Sequence, residues 1–241
     1  MKPVMILFFV LIISSCATIR EIPEPFVVDL NSPQIPLGEI DLQLDRFLGG
    51  LRRETVNLIY FPREDAVALQ FRHEMMTYHQ FWSREGRALF IRALEQYNED
   101  FTARTLENQN ARRSRQIYGT AEGFLTWRGH RFGVQARANM TLGLGYVFRD
   151  RSPYFTIHQG RAEFIDPATS SNRMESSPIT LHFTRAQAAE LASFFRQDIL
   201  NELSIQNREI PAPPAITDIE RDDFWAEPSE PSVTDTERDE Y

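Results

Sequence analysis

Between residues 115 and 164 four strand-length runs follow one another with almost nothing between them. The runs are 116–127, 131–139, 141–148 and 154–164, and the connections "RGH" (128–130) and "RDRSP" (149–153) are turn-sized. Parallel strands need crossovers of a dozen or more residues, so connections this short force neighbours to run antiparallel. The same pattern extends upstream. Residues 56–61 form an apolar, β-branched run and "PRED" makes a turn at Pro62. Val67, Leu69 and Phe71 then alternate with Ala68, Gln70 and Arg72 at strand period. That strand is expected to continue to Trp82, with a bulge at Met75–Met76 where the alternation slips.

Two helices complete the pattern. Ser83 is placed to cap a helix over 84–107, with Leu89, Phe90, Ala93, Leu94, Tyr97 and Phe101 on one face. After a short strand at 179–183, Thr184 and Gln187 have the spacing of a capping box. The helix they start is expected to run on through Leu191, Phe194, Phe195, Ile199 and Leu203 as one buried stripe. The expected fold is therefore α+β: an antiparallel meander of six or seven strands carrying two amphipathic helices. Small residues, Gly123, Gly143 and Gly145 among them, recur through the meander. Glycine inside a strand weakens it and marks close approach of another element or a bend. Either a helix packs tightly on a curved sheet, or the sheet coils around an apolar groove lined by Trp127, Phe132, Tyr146, Phe148 and Phe155.

The ends of the chain differ in character. Lys2 precedes ten apolar residues, 4–13, which are followed by Ser14, Ser15 and the single cysteine, Cys16. A membrane-spanning helix needs about 20 apolar residues, so this run fits an export signal instead. Ile13-Ser14-Ser15-Cys16 resembles the lipobox of bacterial lipoproteins. The resemblance implies a diacylglyceryl group on the Cys16 thiol, cleavage before it, and anchoring to the cell envelope, with Ala17 pointing to the outer membrane. Two or more acyl chains give stable anchoring where one does not. The resemblance covers these residues only.

The expected layout is a signal at 1–15, a proline-rich membrane tether at 16–39, one α+β domain at 40–206, and a linker with an acidic disordered tail at 207–241. From residue 217 onward ten acids face Arg221 and Arg238 alone, which accounts for the whole formal charge of -8. The remainder is neutral, so no nucleic-acid surface is expected. Phe224 and Trp225 are the tail's only large apolar pair, either a docking motif or incidental.

Chemistry is sparse. No GxSxG, HExxH, Walker A or GxGxxG arrangement is present. His73 and His79 share one expected strand, but the bulge between them and the lack of a neighbouring ligand pattern argue against a metal, and none is expected. Glu74, Glu122 and Glu163 lie in strands, where paired carboxylates could hydrolyse glycan. No catalytic residue and no cofactor is assigned. The expectation is a lipid-anchored, non-enzymatic envelope protein that binds an envelope protein or an apolar ligand. The alternative is an envelope enzyme acting on cell-wall glycan through paired carboxylates.

Overall fold

A computed structural model describes residues 26–45, 49–108, 114–129, 135–165 and 173–209. The readings for Ile13, Ser14, Ser15, Cys16, Phe132, Phe224 and Trp225 fall outside these residues. The chain divides into two units, Met1–Leu200 and Asn201–Tyr241.

In the first unit the meander closes on itself. Its strands are β1 (Ile35–Asp45), β2 (Leu51–Phe61), β3 (Ala66–His73), β4 (Met76–Trp82), β5 (Thr120–Gly129), β6 (Gln135–Arg149), β7 (Ser152–Gln159) and β10 (Ile179–Phe183). Each pairs antiparallel with its chain neighbour, and β1 pairs with β10, giving an eight-stranded closed barrel. This corrects the expected open sheet of six or seven strands. Closure leaves the barrel without unpaired edges. A two-stranded hairpin, β8 (Glu163–Ile165) with β9 (Arg173–Glu175), interrupts the order between β7 and β10.

Further boundaries differ from the sequence reading. The expected bulge at Met75–Met76 is a complete reversal: Glu74 takes a left-handed conformation (φ 55°) and His73 faces Met76 across a two-residue turn. Residues 135–139 of the second run and the whole of 141–148 belong to the single strand β6. β1 begins at Ile35, inside the span assigned to the tether. Val28 is buried upstream of it, in a cluster with Phe61, Phe81 and Phe124 on the outer faces of β2–β5.

Strand alternation builds the core. Leu42 and Leu44 of β1, Val67, Leu69 and Phe71 of β3, Tyr78 and Trp82 of β4, and Leu181 and Phe183 of β10 all join one buried cluster. Helix α1 (Arg84–Ala103) is capped by Ser83, whose hydroxyl accepts from the Gly86 amide at 3.1 Å. Its Phe90 ring packs edge-on against Trp82 and Phe155, and its Tyr97 against Phe155 and Tyr146, so the helix fills one end of the barrel. Arg87, 1% exposed, ties the helix down. It donates to the Trp82 carbonyl and to both the carbonyl and carboxylate of Asp65 in the β2–β3 turn.

The capping box at Thr184 and Gln187 forms as expected. The helix it starts is shorter. α2 (Arg185–Phe194) is capped by Phe195, and α3 (Gln197–Glu209) follows, so among the described residues three helices stand where two were expected. The break redirects the stripe: Leu191, Phe195 and Leu200 are buried, while Ile199 is 39% exposed and Phe194 only half-buried. The described part of the second unit is the remainder of α3, 201–209.

Candidate functional site

The closed barrel brings polar residues from β1, β6, β7 and β10 together on its outer face. Alternation turns Ile179, Leu181 and Phe183 inward, so Thr180 and His182 face out. Registers then set Thr180 beside His158, and His182 between Thr156 of β7 and Gln43 of β1. Gly143 and Gly145 of β6 occupy the next positions, opposite His158 and Thr156.

Those two glycines explain much of the small-residue pattern. A Cβ on Gly145 would lie 1.7 Å from the Ser114 carbonyl oxygen, and one on Gly143 would lie 2.6 Å from that of Arg115. The residues that need this space, Ser114 and Arg115, open the segment leading into β5. That segment is held on β6 by hydrogen bonds from the Tyr118 amide to the Leu144 carbonyl and from the Leu144 amide to the Gly119 carbonyl. By covering the outer face it leaves His182 and Thr156 each 1% exposed.

A recess of about 50 Å³ remains between segment and sheet, lined by Asp45, Ser114, Arg115, Arg149, Thr156, Thr180 and His182 among others. Asp45 is its hub. Arg149 donates to one carboxylate oxygen at 2.7 Å, and His182 Nε2 lies 3.2 Å from the other, within ion-pair range. Burial opposes ionisation of Asp45, but His182, Arg149 and Arg115 outweigh it and hold the carboxyl below its ordinary range. His158, bonded to the Thr180 hydroxyl at 3.0 Å, is pushed down to about 4, first by burial and then by Arg115. His182 Nδ1 is buried without a hydrogen-bond partner among the described residues. Asp45 and Thr180 also line an adjoining depression of about 360 Å³ with His73, Glu74, Pro178 and Ile179.

Ser114, His182 and Asp45 are the residue types of a nucleophile–base–carboxylate relay. Here neither ring nitrogen of His182 bonds a hydroxyl among the described residues, and two arginines share the recess.

The residues singled out from sequence lie elsewhere. Trp127, Tyr146 and Phe155 point into the barrel and are buried, and Phe148 is half-buried beside Tyr146. They belong to the wall of the barrel core. Trp127 Nε1 and Gln159 Nε2 are buried there without hydrogen-bond partners among the described residues. His73 and His79 stand on different strands, His73 at the end of β3 and His79 facing Thr126 of β5. Burial lowers the pKa of both. Glu74 lies in the β3–β4 turn and Glu122 is an exposed position of β5, where it accepts from Thr141 at 3.4 Å. Glu163 faces Glu175 on the exposed β8–β9 hairpin, and Arg161 binds Glu175. Among the described residues no group of three His, Cys, Asp or Glu side chains could hold a metal ion. Arg115 and Arg149 were unreadable as site residues, because arginine is scattered through the whole chain.

A family model described as "Uncharacterised Treponema protein" matches residues 29–202, which takes in every strand of the barrel. No curated protein and no solved structure matches the chain.

Proposed function

We propose, for a chain that belongs to this uncharacterised Treponema protein family, the role of a lipid-anchored, non-enzymatic protein of the bacterial cell envelope. Its barrel binds an envelope component on the outer face, at the recess around Asp45. The observation that carries the binding reading is the recess itself: a buried imidazole with an unpartnered nitrogen, two guanidinium groups and three hydroxyl side chains meet there. Buried polar groups are ordinarily satisfied, and an exception calls for an explanation such as a bound partner. The anchoring half rests on Ile13-Ser14-Ser15-Cys16 and the apolar run before them. Export to the outer membrane is the corresponding location.

A carrier of apolar ligands has less support. Eight-stranded barrels have interiors that are either filled by side chains or hold one small ligand. Here Phe90 and Tyr97 of α1 occupy one end against Trp82, Phe155 and Tyr146.

The test is fractionation with radiolabelled palmitate in the native bacterium. Wild-type protein should be labelled and membrane-bound, whereas Cys16→Ser should lose the label and accumulate as uncleaved precursor. Undiminished labelling of Cys16→Ser would overturn the anchoring. Native mass spectrometry of detergent-free protein distinguishes the carrier: a stoichiometric retained lipid would replace surface binding with interior binding.

A further inference from the structure

We infer that the Asp45 recess is an oxyanion site that takes a phosphoryl group carried by the envelope component, an inference that rests on the binding reading above. Size excludes most alternatives. Room for a water takes about 10–15 Å³ on the same measure. A recess of about 50 Å³ therefore admits a group of a few heavy atoms and not a sugar ring or an acyl chain.

Charge and donor geometry select the group. Arg115 and Arg149 line the recess against the single carboxylate of Asp45. That carboxylate repels an incoming anion, but it already accepts from Arg149 and lies beside His182 Nε2. Arg115 and Arg149 both act on Asp45, but two guanidinium charges against one carboxylate leave the recess with a positive surplus. His182 has Asp45 beside Nε2 and, among the described residues, no hydrogen-bond partner at Nδ1, so that nitrogen is left for a ligand.

The donors come from different sides: Arg115 from the covering segment, Arg149 from β6, Thr156 from β7, Thr180 and His182 from β10. A planar carboxylate presents two oxygens and would leave several of these unused. A tetrahedral oxyanion presents oxygens in every direction, and guanidinium pairs suit it. Whatever bears the phosphoryl group then has the adjoining depression, entered past the shared residues Asp45 and Thr180.

The experiment is calorimetric titration of the full mature chain, acylated and in neutral detergent, with inorganic phosphate in a phosphate-free buffer. Saturable 1:1 binding is expected. Arg115→Ala and Arg149→Ala should each weaken it about tenfold or more, since a hydrogen bond to a charged group is worth roughly 1.5–3 kcal/mol. Arg53→Ala, an exposed site paired with Asp41 outside the recess, should leave it unchanged. Arg115 is exposed, so its variant should fold normally, and matched melting curves confirm that. Tighter binding of dihexanoyl phosphatidate than of glycerol phosphate identifies a lipid headgroup as the source; the reverse order identifies a soluble phosphate ester. Absence of saturable binding, or equal binding by wild type and both arginine variants, overturns the site. An anchored protein that fails to bind phosphate loses this inference alone, while an unanchored one that binds it loses the envelope role and keeps the site.

Discussion

Gly145→Ala adds one methyl group at the point where the segment before β5 crosses the barrel. The new carbon would stand 1.7 Å from the Ser114 carbonyl oxygen and 2.8 Å from the carbonyl carbons of both Ser114 and Arg115. All three neighbours are backbone atoms, so no rotamer change relieves the overlap. The segment must lift by more than an ångström, yet the hydrogen bonds joining Tyr118 and Gly119 to Leu144 hold it down. Overpacking of this kind costs roughly 1–3 kcal/mol. With a urea dependence of ~2 kcal/mol per molar, the unfolding midpoint should fall by about 0.5–1.5 M. Gly143→Ala, at 2.6 Å from the Arg115 carbonyl oxygen, should behave similarly. Gly160→Ala is the control, because nothing lies within 4 Å of its added carbon. Its effect should stay within about 0.5 kcal/mol. The assay is urea unfolding followed by circular dichroism. An unchanged midpoint in Gly145→Ala, at unchanged slope, would refute the close crossing and with it the burial of His182.

Three further outcomes follow from the packing. Phe195→Ala should cost about 3–5 kcal/mol, since the ring is 1% exposed and touches both Trp82 and Phe90, whereas half-buried Phe194→Ala should cost clearly less; equal thermal shifts would contradict the broken helix. Arg87→Met should lower stability by ~3–5 kcal/mol because it strips Asp65 and the Trp82 carbonyl of a buried donor, and a wild-type melting temperature would show the tie is idle. Stability should fall as pH drops from about 6.5 towards 4: His158, His73 and His79 are held neutral in the fold by burial, so over that window the unfolded chain binds more protons. His158→Gln should flatten that slope in urea melts taken at pH 7 and pH 5, and an unaltered slope would remove His158 as a cause.

Much of the meander was legible because its alternation is local. Leu181 and Phe183, or Val67, Leu69 and Phe71, announce a strand whatever surrounds them. Closure was not legible, since it depends on Leu44 meeting Leu181 across most of the chain. The β3–β4 reversal was hidden because Glu74 and Met75 carry none of the glycine, asparagine or proline that usually marks a tight turn. The break after Phe194 likewise has no proline or glycine; burial of Phe195 and Leu200 on the barrel overrides a helical period that would have continued. The glycines of β6 were legible as sites of close approach, because a glycine inside a strand leaves room that a Cβ would fill. The recess was invisible for the same reason as closure: Asp45, Arg149 and His182 are ordinary residues until the barrel joins their strands.

The central claim is that this barrel works at a membrane, held there by Cys16. Intact-mass analysis of the protein extracted from the membranes of its own bacterium tests that most directly. The predicted species begins at Cys16 and carries a diacylglyceryl group. An unmodified chain, whether it keeps residues 1–15 or starts beyond Cys16, would contradict the claim.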